Sequence, residues 1–207
     1  MTIYVHKVYL PIPPELKNKD TAVISTVAKD SGLSPFRIGP CKLYDGHVSQ
    51  NMENAWQYSK VYEEHWSEER GRPRTKWLGW AMDGWRNPKA YRYPMGKGRK
   101  PVGSWWLFNN NGAWFDGDLI DYVRARKVIY GPLYAEAVQK TTEWKDLQYL
   151  YKIRKNIVLL DYDAYDHHKM GRTLTDVLND PGKKMGHAFV LAMLLTNDKA
   201  LEQMELR

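Results

Sequence analysis

Hydrophobic and polar positions along this chain predict a series of mostly short elements. The first is a strand from Ile3 to Leu10, stopped by Pro11, Pro13 and Pro14. Asp20 to Lys29 reads as a short helix with Val23, Val27 and neighbouring alanines on one side, and Gly32 is placed to stop it. Leu33 to Pro40 is extended and turn-rich, because each proline biases its predecessor away from helix. Asp45-Gly46 makes a tight turn between Cys41–Tyr44 and His47-Val48, a small hairpin. Asn51 to Glu69 is predicted as a long helix, ended by Gly71 and Pro73.

Residues 71–117 are punctuated by glycine and proline and read as short helical pieces and ordered loops around tryptophan anchors, with a turn at Asn109 to Gly112. Asp118 then caps a helix running toward Ile129. Pro132 sits in the first turn of the next helix or kinks a continuous one. Leu133, Ala137, Thr141, Trp144, Leu147 and Leu150 form a helical stripe. Ile157 to Leu160 is a brief apolar run, strand or buried loop; helices at Thr173–Leu178 and Gly186–Leu195 follow, the latter nearly all apolar. These patterns predict a mainly α fold. It would be a single compact helical domain over residues 1–207, with a small N-terminal β element and a Trp-rich, basic loop insertion at about 70–117.

Composition narrows the setting. A chain of 207 residues, 43% hydrophobic, suits one domain with a sizeable core, and no apolar run reaches membrane-spanning length. The N-terminal residues lack a secretory pattern, and a lone Cys41 excludes a disulfide framework. The expectation is a soluble, cytoplasmic protein with no membrane partner; the oligomeric state is not written in the sequence. Net charge is +7, and it is unevenly spread. Residues 70–102 hold ten Lys and Arg against one acid, Asp83, so the rest of the chain is slightly acidic. Seven of the nine tryptophans lie in or beside that stretch. Cations that neutralise phosphate, interleaved with rings that stack on bases, suit nucleic-acid or nucleotide contact. The alternative is that the tryptophans are core and the cations their solvated flanks.

The most informative chemistry lies at Asn51 to Lys60. At helical spacing Glu53, Trp56, Gln57 and Lys60 share one face, where a carboxylate, an amide and an amine surround an indole. Such a face is either solvated or lines a polar cleft, and Met52, Ala55 and Ser59 supply a packing side opposite. A second cluster, Asp161, Asp163 and Asp166 with Tyr162, Tyr165, His167 and His168, follows the apolar run. It is read as a solvated turn, a catalytic carboxylate site or, less readily, an oxygen-rich metal site. Zinc finds no matching spacing among His65, His167, His168 and His187, and Cys41 has no base partner, so neither a metal nor a cofactor is predicted. Arg99, within Gly96 to Lys100, is a candidate phosphate contact, and the helix start at Gly186-His187 could receive an anion or a sugar edge.

Taken in order, Ser34-Pro35-Phe36, Leu43 to Gly46 and Asn51-x-Glu53-Asn54-Ala55-Trp56-Gln57-x-x-Lys60 resemble the NADAR superfamily. That resemblance covers about two thirds of the chain. It implies a mostly helical N-glycosidase acting on ADP-ribose-like or riboflavin-precursor nucleotides. The chain departs from the family at its C-terminal loop and helix, where Asp163-Ala164-Tyr165-Asp166 and Met185-Gly186-His187 replace a Trp-Gly with Asp and an Asn-x-x-Gly. Its 70–117 segment is also longer and more basic than the family's.

The chemistry that follows assigns catalytic roles to Glu53, Lys60, Asp163 and Asp166. Glu53 would stabilise an oxocarbenium-like sugar and an Asp would serve as its partner, while Lys60 holds phosphate or acts as an amine. Trp56, Gln57, Asn54, Tyr165, His187 and Arg99 would contact a nucleotide or nucleic-acid substrate. The alternatives are a non-catalytic nucleic-acid-binding protein using residues 70–102, or a nucleic-acid-modifying transferase. Size, the lone cysteine and the Trp-rich segment are in keeping with a bacteriophage protein.

Overall fold

A computed structural model describes residues 1–27, 31–109 and 112–206. The strands Thr2–Lys7 (β1) and Thr21–Ser25 (β2) come first, then the hairpin of Cys41–Lys42 (β3) and Val48–Ser49 (β4). Met52–Gln57 (α1) leads into Lys60–Val61 (β5), and Trp66–Ser67 (β6) pairs with Arg72–Pro73 (β7). Thr75–Arg86 (α2), Gly103–Trp106 (β8) and Asp118–Ile120 (β9) follow. Tyr122–Ala125 (α3) runs through a π-helical turn, Arg126–Tyr130, into Gly131–Val138 (α4). Thr142–Ile153 (α5), Asn156–Asp161 (β10), Leu174–Asn179 (α6) and His187–Thr196 (α7) complete the chain.

The mainly helical expectation is corrected: 38% of residues are helical and 17% are strand, distributed among small sheets in a mixed α/β arrangement. The apolar run at 157–160 is the centre of it. β10 lies between β1 and β2 in a parallel three-stranded sheet, with Ile157 opposite Ile3 and Ala22. Ile157, Val158 and Leu159 are fully buried, as a strand covered on both faces requires. α7 packs on β1 and β10. Every residue from His187 to Met193 is buried, which explains a helix with no polar face.

The helix expected at Asp20 to Lys29 is instead β2 over its first half, while Ala28 and Lys29 lie outside the described residues. Its run Thr21-Ala22-Val23-Ile24-Ser25 is rich in β-branched residues, and pairing with β10 decides it. The 51–69 helix is only α1, six residues long. Asn51 caps it, its Oδ1 accepting from Asn54 N at 2.8 Å. The chain then turns at Tyr58 to let Lys60 and Val61 pair with Ser104 and Gly103 of β8. The helix expected after Asp118 begins at Tyr122 and is capped by Asp121, with β9 preceding it.

The segment at 70–117 is not a loop insertion. It contributes β7, α2 and β8, the middle strand of the sheet β5-β8-β9, and Trp77, Trp85, Trp105 and Trp106 are core residues. Of the turn expected at 109–112, Asn110 and Asn111 lie outside the described residues, though Gly112 N donates to Asn109 O at 2.9 Å. The 41–48 hairpin forms as predicted, with Asp45 and Gly46 both at positive φ. Pro132 sits in the first turn of α4 within a continuous helix. It has no N–H to offer the preceding turn, which widens so that Gly131 N reaches back five residues to Arg126 O. No helix of the described residues is long and apolar enough to cross a membrane.

Candidate active site

Four elements, α1, β5, β10 and α7, bring polar side chains together. α1 supplies Glu53 and Gln57, both buried. Gln57 Nε2 donates to Glu53 Oε1 at 2.9 Å, and Lys60 Nζ donates to Gln57 Oε1 at 2.7 Å. The helical spacing therefore works over one turn only. Lys60 joins from β5, placed by its pairing with Ser104 and by Trp77 Nε1, which donates to Lys60 O at 3.0 Å. The Lys60 ammonium stands 5.0 Å from the centre of the Trp56 ring.

The second group comes from the end of β10 and the start of α7. Asp161 is buried, and its Oδ2 accepts from Ala188 N and lies 3.1 Å from His187 Nδ1. The carboxylate thus occupies the positive end of α7, where a substrate anion was expected. Gly186 makes this approach feasible: a Cβ there would stand 2.2 Å from Asp161 Oδ2. His187 Nε2 faces Thr26 O at 3.0 Å, so both ring nitrogens are engaged by the protein.

Asp163 lies two residues on and is partly exposed. Arg92 Nη2 donates to its Oδ2 at 3.1 Å, and Lys184 Nζ is 4.0 Å from Oδ1. Arg92 also stands 5.5 Å from the Tyr93 and Tyr162 rings. The segment that carries it is held to α1 by Asn54. Asn54 Nδ2 donates to Gly84 O, Asn87 O and Lys89 O, at 3.0, 3.0 and 2.8 Å, and Oδ1 accepts from Tyr91 N at 2.9 Å. Asn54 is thereby engaged by the protein's own backbone.

Electrostatics join the two groups. Burial raises the proton affinity of the Glu53 carboxyl, opposed by the Gln57 hydrogen bond and by the charges of Lys60, Arg92 and His187. Burial brings Lys60 down to about 8; Glu53 and Asp163 oppose this, while Lys184 and Arg92 reinforce it. Tyr130, on the π-helical turn, packs 5.1 Å from Trp56, and burial together with the nearby Asp161 and Glu53 charges holds its phenol protonated far above the usual range. Glu53, Lys60, Arg92, Asp161, Asp163 and Tyr130 thus lie within one another's fields.

Asp166, Tyr165 and Arg99 stand apart from this cluster. Asp166 Oδ1 accepts from Lys169 N at 3.0 Å in a local turn, the solvated-turn alternative for that cluster. Tyr165 packs 4.8 Å from Phe189. Arg99 forms a two-pronged pair with Glu64 at 2.7 Å. None of the three is brought to Glu53, because sequence proximity to a reactive loop does not fix direction. Arg92, Lys184 and Tyr130 were not singled out from the sequence, and Asp161 was read only as one of the acidic cluster, with no role of its own. Asp161 alone carried a signal, as the carboxylate closing a buried strand.

Among the described residues no three His, Cys, Asp or Glu side chains converge as a metal site. A cavity of about 430 Å³ lies elsewhere, lined by Arg37, Lys42, Glu136 and Lys140 among others. It holds none of the cluster's residues. Neither a family model, nor a curated protein, nor a solved structure matches this chain.

Proposed function

We propose that the protein is an N-glycosidase-like enzyme that breaks the N-glycosidic bond of a nucleotide, an ADP-ribose adduct or a modified base. One observation carries the reading. A buried carboxylate with raised proton affinity (Glu53) is linked through Gln57 to a buried amine with lowered affinity (Lys60), beside the Trp56 ring. The NADAR-like order of Glu53, Gln57 and Lys60 supports it, and the lone, buried Cys41 suits a reducing cytoplasm.

Breaking the C1′–N bond leaves positive charge on the sugar and sends the bonding electrons to the base nitrogen. Glu53 as the anion stabilises the cationic sugar. Asp163, once released from Arg92, takes a proton from the water whose oxygen bonds to C1′, and that proton passes through solvent to the nitrogen of the departing base. Trp56 stacks the ring. The exposed cations of 70–102, including Arg86, Lys89, Lys97 and Lys100, favour a nucleic acid as the carrier of that bond, and they favour simple nucleic-acid binding as the second reading. With Trp77, Trp85, Trp105 and Trp106 in the core, that surface offers charge more than stacking.

The test is product release from NAD⁺, ADP-ribose, ADP-ribosylated DNA and free nucleotides. Appearance of a free base or of ADP-ribose supports the reading. Tight nucleic-acid binding without turnover of any of them transfers preference to the binding protein.

A further inference from the structure

Asp161 and His187 form a pair that solvent does not reach, at 3% and 4% exposure. His187 Nδ1 lies 3.1 Å from Asp161 Oδ2, and Nε2 lies 3.0 Å from Thr26 O. The partner of each ring nitrogen is therefore an acceptor, one a carboxylate and the other a backbone carbonyl. Thr26 is itself fixed, because its N and Oγ1 both donate to Leu160 O, at 3.1 and 2.8 Å.

A neutral imidazole has one N–H. With the hydrogen on Nδ1, the Nε2 lone pair would face the Thr26 carbonyl; with it on Nε2, the Nδ1 lone pair would face the carboxylate. Either tautomer leaves two acceptors opposed in a buried space. A proton on Asp161 would relieve the second clash, but that carboxylate also accepts from Ala188 N at 3.1 Å and from Asp163 N at 3.3 Å. Those two amides and the positive end of α7 favour the anion. Two further groups face the ring. Tyr134 of α4, 5.5 Å away between ring centres, gives its hydroxyl hydrogen to Leu33 O at 2.6 Å. Glu53 of α1 is a second acid on which the charge of His187 acts.

We propose that His187 is held as an imidazolium at neutral pH and is a positioning residue, which by donating at both ends fixes the Asp161 carboxylate, and through it the Asp163 turn, to the end of β2. The connection is continuous. Asp161 Oδ2 takes the imidazolium, Asp161 Oδ1 takes the Asp163 amide, and Gly186 N, next to His187, donates to Asp163 O at 3.1 Å. The side chain assigned to the attacking water thus stands on a backbone that this ion pair holds from both sides. The part of Asp163 in catalysis belongs to the N-glycosidase reading, whereas the charge of His187 is measured with no substrate present, so either can fail alone.

Nitrogen NMR of the whole protein with isotope-labelled histidine tests it, with the His187 ring assigned by through-bond correlation to its backbone. At pH 7 both His187 nitrogens should carry a directly bonded proton. In Asp161→Asn, which replaces the anion with an amide of the same shape, His187 should fall to a single N–H at the same pH. His187→Gln, whose amide nitrogen cannot reach both acceptors, should speed exchange of the Asp163 amide roughly tenfold while the Leu159 amide inside β10 keeps its protection. A single N–H on His187 in the wild type overturns the proposal, and if neither variant folds that spectrum decides alone. Two N–H groups persisting in Asp161→Asn, or Asp163 exchange unchanged in His187→Gln, would overturn it equally.

Discussion

Lys60 holds its charge against the pull of burial, and that makes it the most readily tested side chain. Between about 8 and its ordinary value of 10.5 the unfolded chain keeps a proton that the folded protein has lost. Stability must therefore rise with pH across that window, by up to about 1.4 kcal/mol per pH unit from this group. Above about pH 10 the sign reverses for other groups, since burial keeps Tyr44, Tyr130 and Tyr134 protonated in the fold while the unfolded chain ionises. Urea unfolding between pH 8 and about 9.5 should show the rise, and Lys60→Met should remove it. A Lys60→Met variant with the same slope as the wild type would show that Lys60 is not the group responsible. Glu53 behaves in the opposite sense: its raised affinity means that the folded protein loses stability as pH climbs from the ordinary carboxylate range. Glu53→Gln should accordingly unfold within about 1 kcal/mol of the wild type, or later, because it replaces a buried ionisable group with an amide of the same shape.

At the scale of elements, Gly186 and Asn54 join the two halves of the site. Gly186→Ala would drive a methyl into Asp161 Oδ2 and detach it from Ala188 N and His187. A loss of about 2 kcal/mol or more in unfolding free energy is expected, and a loss under about 0.5 kcal/mol would contradict that contact. Asn54→Ala removes a donor from the Gly84, Asn87 and Lys89 carbonyls and the acceptor of Tyr91 N–H, so it should lower stability by about 1 kcal/mol or more and loosen the segment bearing Arg92. Amide exchange at Tyr91, whose N–H bonds Asn54 Oδ1, checks this directly: faster exchange is expected, and unchanged protection would contradict it. These same elements show what sequence pattern can convey. The Asp45-Gly46 hairpin, the short helix after Thr173 and the nearly all-apolar α7 were legible because each follows a local rule. β2 was not, since its pairing partner β10 lies more than 130 residues away and Val23, Val27 and the alanines fit a helix equally well. The length of α1 failed for the same reason: nothing local breaks a helix at Tyr58, and pairing of Lys60 with Ser104 does. Glu53, Gln57 and Lys60 were nonetheless read as neighbours, because one helical turn followed by a short strand returns Lys60 to Gln57.

At the scale of the whole molecule, a parallel sheet and a buried helix start hold carboxylates near an amine, the arrangement on which the proposed glycosidic cleavage rests. The basic segment adds the charge of Arg92, which with Lys184 meets Asp163, while its Trp77 and Trp85 are core. The direct measurement is base or ADP-ribose release by the wild type and by Glu53→Gln at pH 7, with both proteins shown to be folded. Removal of a group that stabilises the transition-state charge should cut turnover about a hundredfold or more while leaving the unfolding midpoint nearly unchanged. Turnover by Glu53→Gln at the wild-type rate would contradict the account.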